Sequence, residues 1–281
     1  MSSFERFDIV LRTGESVGSV TMGQIYFVDR YYSDTMMLIG SKNRRCIFQG
    51  GLKRSTFLVN CDMNLKDNMV GNYISIDSEY QKIEVFTNRE HGKVLMLDGN
   101  VMLTERDEIL YHALAVRHFS STNGNNALVV GGGDLHTAKY LFDLGATEVT
   151  IAEIDSKVVE VCAEQFPFVD IANPGLDIII GDAQETVKSI NEKFDYIVLD
   201  LTDMTDGGIE EQLYSKEFIG LCFSKLSANG VIAVQAADRY KKPHHFNAVF
   251  EALKQHTSSI AIASNFVPCY NEHQFFLYGE K

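Results

Sequence analysis

Positive charge is scarce in this chain. Lysine and arginine total 25 against 38 aspartates and glutamates, a formal net charge of −13. Nucleic acid needs a basic face for its phosphates, so no nucleic-acid partner is expected. The same balance suits a cationic ligand. Cysteines number only five, at Cys46, Cys61, Cys162, Cys222 and Cys269, with no CxxC pair among them. Such an odd, scattered set makes neither a disulfide framework nor a zinc site, and is expected as small apolar core residues. His118, His136, His244 and His245 lack ligand spacing with acids or cysteines, so no metal is expected, and the His244–His245 pair is expected on a helix surface. No apolar run approaches the ~20 residues that span a bilayer, and the opening MSSFERFDIVLRTGE has no apolar signal core. A cytoplasmic protein of a reducing compartment, without a membrane partner, is expected. Four prolines, no repeat and no low-complexity tract leave little punctuation. Apolar surface, by contrast, is plentiful. The chain is 45% hydrophobic, with 12 Tyr and 18 Phe in 281 residues, which excludes a disordered polymer and fits one large domain or two small ones.

Two patterns divide the chain. Residues 1–103 read as a β-rich N-terminal region of short strands: FDIVLRT, IYFVDRYY, TMMLIGS, CIFQGG, TFLVNCD, YISIDS, QKIEVFTN and KVLMLDG. From Leu103 the period changes. TERDEILYHALAVRHF places Ile109, Leu110, Ala113, Leu114 and Val116 on one helical face, with Thr104 as N-cap and Asp107 in capping-box position. Strand and helix patterns then alternate through residues 104–281. ALVVGGGD, EVTIAEID, DIIIGDA, YIVLDLTD and VIAVQAAD read as strands, and SSIAIASNFV with EHQFFLYGE as an antiparallel closing pair. Near-continuous apolar strands between amphipathic helices predict a doubly wound α/β domain, a parallel sheet covered on both faces. Ligands of such sheets sit beyond the carboxyl ends of the strands.

The chemistry-bearing residues fall at those ends. Gly131-Gly132-Gly133-Asp134 follows one strand and opens a helix, and glycines let the backbone turn tightly and approach a ligand closely. Glu153 ends the next strand, placed to grip two ribose hydroxyls. Asp182 ends the third, placed to accept from an adenine amino group, with Ala183 N–H as a donor to the ring. Together they predict a nucleoside pocket. Acidic Asp134 stands where a dinucleotide would put its pyrophosphate, and like charges oppose that binding. A sulfonium nucleoside fits better. Ordinary S-adenosylmethionine carries a carboxylate beside its ammonium, and one charge pair at ~4 Å in an effective dielectric near 20 amounts to about 4 kcal/mol. A decarboxylated donor avoids that repulsion, which points to transfer of an aminopropyl rather than a methyl group.

Tyr80-Gln81-Lys82-Ile83, LDG at 97–99, TERDE at 104–108, Tyr111-His112, GGGD at 131–134, EID at 153–155, GDA at 181–183 and DLTD at 200–203 resemble the polyamine aminopropyltransferases, the spermidine and spermine synthases. The resemblance runs in unbroken motif order from about Tyr80 to the C-terminus. It implies a methyltransferase-like Rossmann domain behind a small β-domain. The implied co-substrate is decarboxylated S-adenosylmethionine with no further cofactor, the implied partner a small cationic polyamine, and the implied assembly a homodimer. It makes Asp200 the catalytic base. A polyamine is protonated near neutral pH and attacks only as the free amine, so a positioned carboxylate is needed to take its proton. Gln81, Gly131, Gly133, Asp134, Glu153, Asp182 and Ala183 fall on donor-binding positions. Tyr111, His112 and Asp203 fall on acceptor positions, and Asp107 and Glu272 correspond to acids that hold a longer acceptor in spermine synthases.

Departures from the family pattern leave the acceptor, putrescine or spermidine, open. Leu135-His136 replaces two glycines of GGGDGG, and their bulk is expected to crowd the methylthioadenosine side. DLTDM replaces the DSSDP or DSTDP of spermidine synthases. Segment 204–214, MTDGGIEEQLY, reads as a loop closing over an acceptor slot ringed by Asp200, Asp203, Asp206, Glu210, Glu211 and Glu272. Two alternatives stand beside the transferase reading: a small-molecule methyltransferase on the same fold, and a weakly active nucleoside- or polyamine-binding partner subunit.

Overall fold

A computed structural model describes residues 65–167, 169–204 and 209–281, and the backbone of 9–12, 25–32, 35–39, 45–49 and 52–53. The chain forms two compact units, residues 1–64 and 65–281. Within the first, β1 (Ile9–Arg12), β2 (Ile25–Tyr32), β3 (Thr35–Ile39), β4 (Arg45–Gln49) and β5 (Leu52–Lys53) make an antiparallel sheet in the order β4-β3-β2-β1-β5. The expected strand TFLVNCD, which contains Cys61, lies outside the described residues.

The second unit starts with a four-stranded antiparallel sheet of β6 (Met69–Asp77), β7 (Lys82–Asn88), β8 (Gly92–Leu97) and β9 (Asn100–Thr104). Its elements follow as α1 (Glu108–Ala115), β10 (Asn126–Gly131), α2 (His136–Asp143), β11 (Glu148–Glu153), α3 (Ser156–Gln165) and β12 (Leu176–Ile180). Then come α4 (Ala183–Ser189), β13 (Phe194–Asp200), α5 (Lys216–Lys225), β14 (Leu226–Gln235), α6 (Pro243–Lys254), β15 (Ile260–Val267) and β16 (Glu272–Glu280). The large sheet has the order β12-β11-β10-β13-β14-β16-β15, parallel except for β16, which is antiparallel to both neighbours. The closing pair thus inserts its last strand between β14 and β15. Among the described residues no helix is long and apolar enough to cross a membrane.

Two-residue alternation on the central strands builds both cores at once. Leu128, Val130, Ile197 and Leu199 face α5 and α6 with Phe218, Cys222, Val249 and Leu253. Ala127, Val129, Tyr196 and Val198 face α1 and α2 with Leu114, Ala115, Ala138 and Leu141. A third core joins the small sheet to α3 through Ile83, Val85, Leu95 and Leu103 against Val158, Val161, Cys162 and Phe166. That last packing carries the β6–β7 turn and the β8–β9 turn to the edge of the large sheet.

Three local expectations are corrected. Thr104 ends β9, and α1 starts at Glu108 with Asp107 as its N-cap residue, which makes no side-chain cap. The buried face of α1 is Tyr111, His112, Leu114 and Ala115, leaving Ile109 and Ala113 exposed. Polar contacts described below draw Tyr111 and His112 inward and rotate the face. His245 is buried rather than on the surface, with its ring edge-on to Tyr214 at 4.4 Å and Nδ1 accepting from Met204 N–H at 3.4 Å. Burial lowers its pKa to about 4, so it is a neutral ring.

Candidate active site

β10 and β13 pair at the middle of the sheet, where the strand order reverses, and a cavity of about 1110 Å³ opens beyond their carboxyl ends. Its floor is the glycine turn. Gly131 is in register with Asp200, and Gly132 N–H donates to Asp200 O at 3.0 Å. Gly131 and Gly132 have φ of 78° and 68°, and a Cβ on Gly131 would lie 2.2 Å from the Asp200 carbonyl oxygen. Only glycine serves there. At Gly133 φ is unexceptional, but a Cβ would meet Glu153 Oε2 at 2.9 Å.

One side of the cavity is lined by Gln81, Gly133, Glu153, Asp182 and Ala183. Glu153 Oε1 accepts from the N–H groups of Ile154 and Asp155 at 2.8 and 2.9 Å, and burial raises its pKa against those bonds. Gln81 Nε2 donates to Asp155 Oδ2 at 3.1 Å, tying the small sheet to the end of β11. Asp182 caps α4, with Oδ1 accepting from Gln184 and Glu185 N–H, and Ala183 is the first residue of that helix. The β8–β9 turn, Leu97 to Met102, closes the opposite wall.

The middle of the cavity is built around two carboxylates, Asp134 and Asp200. Asp200 Oδ1 accepts from Tyr111 Oη at 2.7 Å and Oδ2 from Thr137 Oγ1 at 2.5 Å. Burial and the nearby Asp134 charge raise the Asp200 pKa, while His112 and the two hydroxyls pull it down. Asp134 Oδ1 accepts from His136 N–H at 2.9 Å, and its Oδ2 lies 3.4 Å from His112 Nε2, an ion-pair distance rather than a well-formed hydrogen bond. Behind, His112 Nδ1 meets Glu108 O and Oε2 at 2.8 and 3.1 Å, and Tyr140 Oη donates to Glu108 Oε1. Burial opposes a charge on His112, but Asp134 and Glu108 prevail and raise its pKa to about 10. Burial likewise opposes the Asp134 charge, and His112 prevails and holds it well below the ordinary carboxylate range.

Ligand atoms of His112, Asp134 and Asp200 lie within 4.8 Å of one another, a grouping the spacing rule did not reveal because it draws on three elements. With the imidazole protonated, the group presents its two carboxylates as acceptors, an arrangement that suits an ammonium. With both acids charged its net charge is −1, less than a lone pair of aspartates would give.

Several expected residues occupy other places. His112 does not line the cavity, and serves behind Asp134. Asp107 is 3% exposed and also off the cavity: it accepts from Thr104 Oγ1 and from Cys269 N–H at 2.9 Å, joining β9 to the turn before β16. The feared bulk after the glycines is absent from the site. Leu135 and His136 are 2% and 1% exposed, and neither lines the cavity. Leu135 accepts φ of 69° and packs into the α1–α2 core, while the His136 ring stacks on His112 at 5.2 Å.

The far end of the cavity holds Asp203 and Glu272. Gln235 Nε2 and Lys242 Nζ both donate to Asp203, and Lys241 and Lys242 lie 3.6 and 4.0 Å from Glu272. Gln274 Nε2 donates to Glu272 Oε1 at 2.8 Å. Glu211 is exposed and off the cavity. Residues 205–208, with Asp206, and the Glu210 side chain lie outside the described residues, and 209–214 form a 3₁₀ turn. Sequence reasoning missed Thr137, Glu108, Gln235, Lys242 and Gln274. Gln235 ends a buried strand and was findable by the rule that found Asp200, and Glu108 stands four residues before His112 on one helix face.

Comparison with known proteins agrees with the geometry. Residues 105–281 match the spermine/spermidine synthase domain, and residues 75–105 the spermidine synthase tetramerisation domain. Polyamine aminopropyltransferases of Thermoplasma volcanium and Thermoplasma acidophilum are 36% and 35% identical over 202 residues, each alignment covering 70% of this chain and 73% of the relative. A spermidine synthase solved with the transition-state analogue AdoDATO superposes with a TM-score of 0.70 at 24% identity, over 85% of this chain and 77% of that one. The Thermotoga maritima spermidine synthase gives 0.67 at 21% identity, over 86% and 76%. The chain belongs to the spermine/spermidine synthase family.

Proposed function

We propose that this protein is a polyamine aminopropyltransferase that moves the aminopropyl group of decarboxylated S-adenosylmethionine to putrescine or spermidine, releasing methylthioadenosine. The observation that carries the reading is the Asp200 carboxylate at the cavity wall, held by two neutral hydroxyls within 4.8 Å of the Asp134–His112 pair. Tyr111 and Thr137 fix its orientation and leave lone pairs on both oxygens for an incoming amine. The amine attacks the carbon next to the sulfonium, the C–N bond forms as the C–S bond breaks, and Asp200 takes the proton. The leaving group departs neutral, so alignment of the two reactants supplies most of the remaining acceleration. Asp134 receives the donor's ammonium, Glu153 the ribose hydroxyls, Asp182 and Ala183 the adenine edge, and Gln81 with Gly131 and Gly133 the space between. Asp203 and Glu272 face the acceptor. His112 holds Asp134 rather than substrate.

The small sheet of the second unit, which covers most of 75–105, serves self-association, as a tetramer on the match to that domain or as the dimer the resemblance implies. On this reading 1–103 is the β-rich region and 104–281 the catalytic one, and Tyr80, Gln81 and the β8–β9 turn are the β-rich region's contribution to the site. We place the chain in the cytoplasm, on the free thiols of Cys162, Cys222 and Cys269.

Asp200→Asn tests the mechanism. It keeps the hydrogen-bonding shape and removes the base, so donor binding by calorimetry is retained while kcat falls about 10²- to 10⁴-fold. Undiminished turnover would remove Asp200 from the base role.

A further inference from the structure

Among the described residues, the cation beside Asp134 and Asp200 is His112, but the far end of the cavity carries a cation of its own. Lys242 stands at the start of α6, its backbone N–H bonded to Asp238 O at 2.7 Å and Pro243 following it. Its ammonium lies on the cavity wall, donates to Asp203 and sits 4.0 Å from Glu272. The network around it is closed. Gln235 donates to Asp203 and to Gln274 Oε1, Gln274 donates to Glu272, and Lys241 covers the other Glu272 oxygen at 3.6 Å. Both acids of the acceptor end are therefore already matched by lysine, in contrast to Asp200, whose bonded partners are hydroxyls.

We propose that Lys242 is a specificity-determining residue that competes with the acceptor's ammonium groups for Asp203 and Glu272. This inference rests on the aminopropyl-transfer reading for the identity of the acceptor. A polyamine reaching this end displaces the lysine, which is 43% exposed at its side chain and sits at a helix start, free to swing into solvent. The pair it gives up is a half-exposed one, so displacement is cheap yet not free. An acceptor with more ammonium groups places more charge against these acids and gains more when the lysine is gone. Lys242 thereby narrows the preference for a triamine over a diamine.

The experiment compares wild type, Lys242→Met and Lys242→Arg in two measurements. Putrescine and spermidine KM are determined with saturating decarboxylated donor, and spermidine Kd by titration calorimetry without donor. Lys242→Met is expected to lower spermidine KM and Kd about threefold to tenfold, to lower putrescine KM less, and to leave donor KM unmoved. Lys242→Arg is expected to behave as wild type. An active wild type with unchanged or raised spermidine KM and Kd in Lys242→Met overturns the inference alone, since a helix-start role would move the melting temperature and not this ratio. A wild type that transfers no aminopropyl group, yet binds spermidine more tightly after Lys242→Met, supports the competition and overturns the transfer reading. A wild type that neither transfers nor binds spermidine overturns both.

Discussion

His112 is the residue on which the electrostatics of the site turn. Its pKa is about 10 in the fold against about 6.5 in an unfolded chain. A raised pKa contributes stability that is complete below pH 6.5 and is lost as the pH rises toward 10. Removing the imidazole by His112→Gln deletes a charge-assisted pair, so wild type loses on the order of 1.5–3 kcal/mol more than the variant between pH 6.5 and 10. Denaturant unfolding at a series of pH values reads this directly, and parallel curves for the two proteins would refute the pairing. As the proposed base, Asp200 would act only when ionised, and burial raises its pKa, so kcat/KM is expected to rise with pH through a limb displaced above the ordinary carboxylate value. At this scale the sequence showed which acids gather at the strand ends. It did not show that Tyr111 reaches Asp200 while its neighbour His112 backs Asp134, because adjacent residues on a helix point about 100° apart and only packing decides which direction faces the cavity.

At the scale of elements, the glycine turn and α2 carry the departure from the family pattern. Leu135 pays for its left-handed backbone, which costs roughly 1–2 kcal/mol, with a fully buried side chain, and losing such a side chain from a core costs about 2–5 kcal/mol. Burial wins. Leu135→Gly therefore destabilises the protein by about 1–3 kcal/mol and leaves donor KM near wild type, as unfolding curves and steady-state kinetics can check. A tighter donor KM in that variant would mean that the leucine does crowd the nucleoside. Strands β10, β11 and β13 were legible as apolar runs ending in Gly131, Glu153 and Asp200. The start of α1 was not, because Thr104 and Asp107 satisfy a capping pattern while hydrogen-bonding each other at the end of β9. Lys242 escaped notice for a related reason: a lysine beside a helix-start proline reads as surface until the fold sets it opposite Asp203.

At the scale of the molecule, acidic character and fold converge on one cavity at the switch point of the large sheet. Residues 75–105 line that cavity through Tyr80, Gln81 and the β8–β9 turn, and match a tetramerisation domain. On the proposed reading, assembly and catalysis draw on one small sheet. Light scattering coupled to gel filtration is expected to give two or four chains of 31.5 kDa per particle, and a monomer at micromolar concentration would contradict self-association. The alternating pattern of the second half made the α/β class legible from sequence. Insertion of β16 between β14 and β15 was not, since an antiparallel hairpin at the chain end can pair with the sheet through either of its strands.

The decisive comparison is between the two sulfonium donors. Purified protein is incubated with putrescine or spermidine and either decarboxylated or intact S-adenosylmethionine, and all products are identified by mass spectrometry. The decarboxylated donor is predicted to yield methylthioadenosine and an amine longer by one aminopropyl group, the intact donor neither. A methylated amine from the intact donor, or no product from the decarboxylated one, would contradict the account.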